Sequence, residues 1–189
     1  MTSKKIYIDV ETTGLNPDEH GIIQIAGIIE IDDKIEKSFN LRSNIHKDDA
    51  FDPKALEVIG KTIEQIHEFP DAVSVHQQFC EIMQEFVDKY DSKDKFSFIA
   101  YNAGFDMDFL RSWFGKCGDK YFGSWFWFPY IDVMTLAYNS LLKERPEMTN
   151  FKLGTVADKM GLELEKTKLH DALYDVKLAM MLYKQFEKY

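Results

Sequence analysis

Cysteine is scarce in this chain. Cys80 and Cys117 are the only two among 189 residues, and no paired-thiol or zinc-ligand spacing surrounds them. A disulfide framework is thereby excluded, and the pair reads as reduced thiols of a cytoplasmic protein. Long apolar runs are missing too: none approaches the roughly 20 residues that a membrane span requires. Met1-Thr2-Ser3-Lys4-Lys5 leads directly into a strand-like run and not into the apolar core of a secretory signal. No repeat, low-complexity tract or Pro/Ser-rich linker divides the chain, so residues 1–189 are expected to form a single domain. Basic residues are in the minority, 23 against 32 acidic, for a net charge of −9. That balance argues against broad electrostatic binding of nucleic acid, because phosphate contacts need Lys and Arg. It leaves room for a metal-dependent pocket, since two divalent ions held by acids would bring the total to about −5 and attract phosphate locally.

What the chain does contain is ordered hydrophobic patterning. Ile6, Ile8 and Val10 alternate with Tyr7, Asp9 and Glu11, the mark of a strand that ends at Thr12-Thr13-Gly14. Residues 22–31 form a nearly continuous apolar strand. A turn at Asp32-Asp33-Lys34 leads into a half-exposed strand with Ile35, Phe39 and Leu41 inward. After Asp71 the spacing becomes helical, with Val75, Phe79, Ile82, Met83, Phe86 and Tyr90 on one stripe. Residues 96–101 read as a strand, followed by a helix with Phe105, Phe109, Leu110 and Trp113 inward. Trp125 to Ile131 reads as another short strand. Helices are predicted around Val133–Leu141 and Leu153–Met160, the latter closed by Gly161. A final helix carries Ala172, Val176, Ala179, Met180 and Tyr183. Three leading strands, then alternating helices and strands, predict an α/β fold: a mixed sheet flanked by helices, with an antiparallel hairpin at one side.

Three acidic groupings carry the chemistry. Asp9 and Glu11, two apart on a strand, leave the same face about 7 Å apart along the chain. They either flank an exposed strand end or hold a cation, for which oxygen ligands suit Mg²⁺ or Mn²⁺. Asp106 falls in the first turn of a helix, where the macrodipole favours an acid in any case. His170 and Asp175 would diverge by about 140° on one helix. They can share a site only if the helix starts near Asp171 and His170 reaches over from the preceding loop.

Taken in order, Asp9-x-Glu11-Thr12-Thr13-Gly14-Leu15, then Asn102-x-x-Phe105-Asp106, then His170-x-Ala172 with Asp175-Val176, closely resemble the DEDDh exonucleases. That superfamily includes the proofreading epsilon subunit of bacterial DNA polymerase and ribonuclease T. The resemblance runs from about Ile6 to Tyr183 and extends to Gln24-Ile25-Ala26, Ile131-Asp132 and Leu153-Gly154-Thr155-Val156-Ala157. It implies a ribonuclease-H-like fold. It also implies two divalent metal ions, Mg²⁺ with Mn²⁺ as substitute, held by Asp9, Glu11, Asp106 and Asp175, with His170 as the base that activates water. The implied reaction is 3′→5′ hydrolysis at the end of a single nucleic-acid strand, DNA favoured, releasing nucleoside 5′-monophosphates. RNA trimming, or a non-catalytic binding module attached to a polymerase, are the alternatives.

The same resemblance places Thr12, Thr13, Leu15, Asn102 and Phe105 at the terminal nucleotide, although core packing accounts equally for Leu15 and more readily for Phe105. The aromatic run Tyr121–Tyr130 could stack on unpaired bases, but a strand would bury alternate rings, so most are expected in the core. Lys166 and Lys168 are candidate phosphate contacts beside the third motif. Expected partners are a single-stranded 3′ end and, through it, a DNA polymerase or another replication or repair protein, with no membrane.

Overall fold

The leading alternation forms a strand over Lys4–Thr12 (β1). In the computed structural model, which describes residues 2–163, 165 and 171–187, β1 is the middle strand of five. Strand β2 (Ile22–Ile31) pairs antiparallel with β1, and β3 (Lys34–Arg42) pairs antiparallel with β2. Their hairpin turns on Asp32 and Asp33, both at positive φ (47° and 66°), the backbone that a two-residue turn between right-twisting strands demands. Among the described residues, five α-helices and two further strands follow after two short helices, α1 (Pro53–Ile59) and α2 (Ile63–His67). In order they are α3 (Ala72–Gln84), β4 (Ser97–Ala100), α4 (Ala103–Lys116), β5 (Ile131–Asp132), α5 (Val133–Ser140), α6 (Leu153–Lys159) and α7 (Ala172–Phe186). Strand β4 joins β1 in parallel and β5 joins β4 in parallel, giving the order β3-β2-β1-β4-β5.

The parity of β1 decides which layer each of its residues meets. Ile6, Ile8 and Val10 face a core shared with Val75, Phe79, Met83, Leu110 and Trp113 of α3 and α4. Tyr7, on the other face, packs with Val133, Ala137, Val156, Val176 and Leu182 of α5, α6 and α7. Asp9 and Glu11 share Tyr7's face, so the strand delivers both carboxyls toward the α7 layer.

Three sequence expectations are corrected. The segment from Trp125 to Ile131 is not a strand. It follows a 3₁₀ turn at Phe122–Ser124, touches the sheet through a bridge between Phe96 and Phe126, and joins the ladder only at Ile131–Asp132. Pro129 has no N–H to give to a ladder, and between the bridge and Ile131 the chain exposes Trp127 and Phe128 rather than packing them into the sheet. Tyr90 is 86% exposed, because α3 stops at Gln84 and Val87 takes the inward place. Asp88 and Asp91 accept from the N–H groups of Tyr90 and Lys93, holding that stretch in turns. Ile35 is also exposed. Pairing skips Glu36 between Lys37↔Ile29 and Ile35↔Glu30, and the bulge turns Ile35 out of phase with Phe39 and Leu41.

Candidate active site

The site lies where β1 outruns its parallel neighbour. Strand β4 pairs with β1 only across Lys5–Tyr7, because the chain leaves the sheet at Ala100 and turns through Asn102, at φ 65°, into α4. Asp132, the N-cap of α5, fixes that turn: its Oδ1 accepts from the N–H groups of Asn102 (2.9 Å) and Met134 (3.0 Å). The first turn of α4 then points Asp106 back at β1, where its Oδ1 accepts the N–H of Val10 at 3.0 Å. The backbone donor between the two acids of the first motif, beyond the end of the β1–β4 ladder, thus finds its acceptor in a buried carboxylate.

Asp175 arrives from the opposite layer. Asp171 caps α7 by accepting from the N–H of Tyr174 at 3.1 Å, so the helix starts there and Asp175 falls within its first turn. Ligand oxygens of Asp9, Glu11 and Asp175 all lie within 4.8 Å of one another. His170 lies outside the described residues, as do Lys166 and Lys168. Tyr174 is half-buried in the α7 layer, and its hydroxyl accepts from the N–H of Glu165 at 2.7 Å.

Electrostatics agree with the geometry. Burial pushes the Asp9 carboxyl well above the usual carboxylate range, and the charges of Asp106, Glu11 and Asp175 add to it. Burial, then Asp175 and Asp171, push Glu11 up to about 7. Asp106 is raised chiefly by burial, against the opposing Val10 hydrogen bond. Gathering three half-buried acids around a buried one in this way is costly unless cations neutralise them. The donor set suits the expected ions: carboxylate oxygens are hard ligands. Oxygens around an octahedral Mg²⁺ at 2.0–2.1 Å stand about 3–4 Å apart, a range that falls within the 4.8 Å bound on this cluster.

The residues placed at the terminal nucleotide are positioned unevenly. Leu15 is 81% exposed beside the end of β1, and Phe105 is half-buried with its ring centroid 4.7 Å from that of Phe109. Thr12 and Thr13 are buried and busy. The Thr12 hydroxyl donates to the Gly14 carbonyl (2.7 Å), while the backbone N–H of Thr13 donates to Gly21 O and its carbonyl accepts from Asp52 N–H. Gly14 is a close-approach glycine: a Cβ there would meet the His20 ring at 2.1 Å. Asn102 supplies the left-handed residue at the N-cap of α4, and its side chain makes no cap hydrogen bond. The sequence reading set Asp171 near a helix start and Asp132 ahead of another, but gave neither a role in holding the site together. Their signal was available, since each is an acid one residue ahead of a helical run.

With helices on both faces of its mixed sheet, the fold is ribonuclease-H-like. Residues 6–183 match the family model described as exonuclease, of the ribonuclease T type, and the chain belongs to that family. Among its relatives, a DNA polymerase III PolC-type of Bacillus cereus is 29% identical over 170 residues, covering 90% of this chain and 10% of the relative. The DNA polymerase III subunit epsilon of Haemophilus influenzae is 28% identical over 189 residues, covering 96% of this chain and 66% of the relative. The chain therefore spans about a tenth of the PolC-type proteins it matches. A solved E. coli exonuclease I–single-stranded DNA complex, in its zinc-bound form, superposes with a TM-score of 0.75 at 19% identity. The match covers 97% of this chain and 40% of that one, and at this identity it speaks for the fold alone. Among the described residues, no helix is long and apolar enough to cross a membrane.

Proposed function

We propose that this chain removes nucleotides one at a time from the 3′ end of single-stranded DNA in the cytoplasm, releasing nucleoside 5′-monophosphates. The observation that carries this reading is the meeting of Asp9, Glu11 and Asp175 oxygens within 4.8 Å, beside an Asp106 whose charge acts on Asp9. Asp9, Glu11 and Asp175 would hold one divalent ion and Asp106, with Asp9, a second. Such ions, when bound, polarise the scissile phosphate and offset the charge that develops on the leaving oxygen.

The chain's own residues do the rest. His170, next in sequence to the α7 cap, takes the proton of the attacking water as the new P–O bond forms. The bond from phosphorus to the 3′-oxygen breaks, and that oxygen takes a proton from solvent. Leu15 and Phe105 hold the terminal base, with Thr12, Thr13 and Asn102 beside it. DNA is favoured over RNA by the two polymerase relatives, which also make a polymerase or repair protein the expected source of substrate.

A panel of 5′-labelled single-stranded DNA, single-stranded RNA and duplexes with recessed or mismatched 3′ ends tests the reading, with Mg²⁺, with Mn²⁺ and with chelator. Single-stranded DNA is expected to shorten stepwise from its 3′ end, fastest of the panel, and only with metal; Asp9→Ala is expected to abolish it. Faster trimming of RNA would move the substrate class, and metal-independent or absent shortening would end the proposal.

A further inference from the structure

A second cluster of donor atoms lies on the opposite layer of the sheet, at the far end of α4. His76 and Cys80 stand four apart on α3 and so share one helix face. Across from them α4 ends at Lys116, and Gly118, at φ 79°, turns the chain back. Asp119 is brought over α3 by the bond from its N–H to Phe114 O (2.9 Å). Three different donors meet there: His76 Nε2 lies 3.6 Å from Cys80 Sγ and 3.5 Å from Asp119 Oδ2.

Those separations can be compared with what a metal ion needs. With Zn–S of about 2.3 Å, Zn–N of about 2.05 Å and Zn–O of about 2.1 Å, a tetrahedral site sets sulfur and nitrogen about 3.6 Å apart, and nitrogen and oxygen about 3.4 Å apart. The cluster already has both edges to within about 0.1 Å, and its three donor atoms all lie within 4.8 Å of one another. We propose that His76, Cys80 and Asp119 form a zinc site that fastens α3 to the turn after α4, with water in the fourth position.

The surroundings prepare each donor. The imidazole of His76 is buried and held edge-on by Phe114 (centroids 4.4 Å apart) and Trp113 (5.3 Å). Burial lowers its pKa despite Asp119, so the ring is neutral and its contact with Asp119 is not an ion pair at neutral pH. Asp119 is steadied from behind, its Oδ1 accepting from the N–H of Tyr121 at 2.7 Å while Oδ2 faces the cluster. Cys80 and Asp119 are both half-buried, open enough for an ion to enter. Burial and Asp119 push the Cys80 thiol up to about 12, so without metal it keeps its proton. On binding, that proton passes to solvent, and thiolate and carboxylate together neutralise the divalent ion. Among the described residues Lys89 is a cation that acts on both His76 and Cys80, and it works against occupancy. The mixed N, S and O set selects a borderline-soft ion over the hard ions that suit the acid cluster. The two places are separate: from Asp106 to Lys116 the axis of α4 alone spans about 15 Å. Cys117 is engaged elsewhere, its sulfur 3.6 Å from His46 Nε2 and from Ala72 O.

The test is titration of the reduced full chain with Co²⁺, read as thiolate-to-cobalt charge-transfer absorption, followed by displacement with Zn²⁺. Carboxylates at the acid cluster give no such band, so the readout is independent of the nuclease reading. Wild type and Cys117→Ser are expected to develop the band at one equivalent and lose it to Zn²⁺. Cys80→Ser should abolish it, and Asp119→Asn, which keeps the thiol, should weaken Co²⁺ binding at least tenfold (a loss of about 1.4 kcal/mol). Far-UV circular dichroism establishes that the variants are folded. A folded wild type without the band at saturating Co²⁺, or a band that survives in Cys80→Ser, would overturn the site.

Discussion

The acid cluster makes a quantitative demand on stability that can be isolated at Glu11. Its carboxyl moves from 4.5 to about 7 on folding, through burial first and then the charges of Asp175 and Asp171. A carboxyl raised in this way binds its proton more tightly in the folded state. The folded protein is therefore favoured by low pH and loses stability as pH climbs from about 4.5 to about 7, with no further loss above. The full shift corresponds to about 3 kcal/mol, and solvent screening at a partly exposed carboxyl reduces this to about 1–2 kcal/mol. For a chain of this length that is a fall of about 3–6 °C in Tm. The perturbation is Glu11→Gln, and the assay is thermal unfolding at a series of pH values from 4.5 to 8, with chelator or with saturating Mn²⁺. In chelator, wild type and variant should diverge as pH rises, the variant being the more stable at pH 8 by that amount. Mn²⁺ should close the gap by stabilising wild type more than the variant, because the ion needs the ionised carboxylate. A difference between the two proteins that is flat from pH 4.5 to 8 would refute the electrostatic account of this cluster. A variant that gains as much from Mn²⁺ as wild type would refute Glu11 as a ligand.

How far the sequence could carry the fold depended on whether the deciding interactions were local. The faces of β1 were legible because period-two alternation is a property of neighbours. The strand puts Tyr7, Asp9 and Glu11 on one side as the pattern requires. The start of α7 was legible for the same reason, since Asp171 caps the helix it precedes. The acceptance of Val10 N–H by Asp106 was not, because it follows from β4 being shorter than β1, a fact of tertiary pairing. Aromatic residues after Tyr121 carry strand propensity, yet that stretch is placed by two hydrogen bonds to Phe96 and by burial of Trp125 and Phe126, which no local pattern reports. The bulge that throws Ile35 outward is likewise a property of two strands at once. Spacing between the two cysteines correctly excluded a thiol pair module but drew attention away from His76-x-x-x-Cys80, a helical spacing that brings two ligands together. Its third member, Asp119, is visible only after α4 has turned.

Three further perturbations bear on the catalytic reading and on the core. Replacing His170 by Gln should lower turnover by about 10²–10⁴ while metal-dependent stabilisation persists, and near-normal turnover would remove it as the base. Trp125 is fully buried and Trp127 is 41% exposed. Trp125→Ala should therefore cost about 3–5 kcal/mol in denaturant unfolding, whereas Trp127→Ala should cost far less; equal losses would contradict the burial. Asp106 separates charge from hydrogen bonding. Asp106→Asn keeps an oxygen for the Val10 N–H but removes a buried charge that acts on Asp9. In chelator at pH 8 it should be at least as stable as wild type, yet much less active with Mg²⁺. Asp106→Ala removes the acceptor as well, leaving a buried N–H unpaired at a cost of about 1–3 kcal/mol. Relative to Asn, the Ala variant should therefore unfold at lower denaturant while losing activity to a similar degree. If Asn and Ala are equally destabilising, the Val10 contact is not what holds Asp106 in place. If Asn retains full activity, its carboxylate charge has no part in the chemistry.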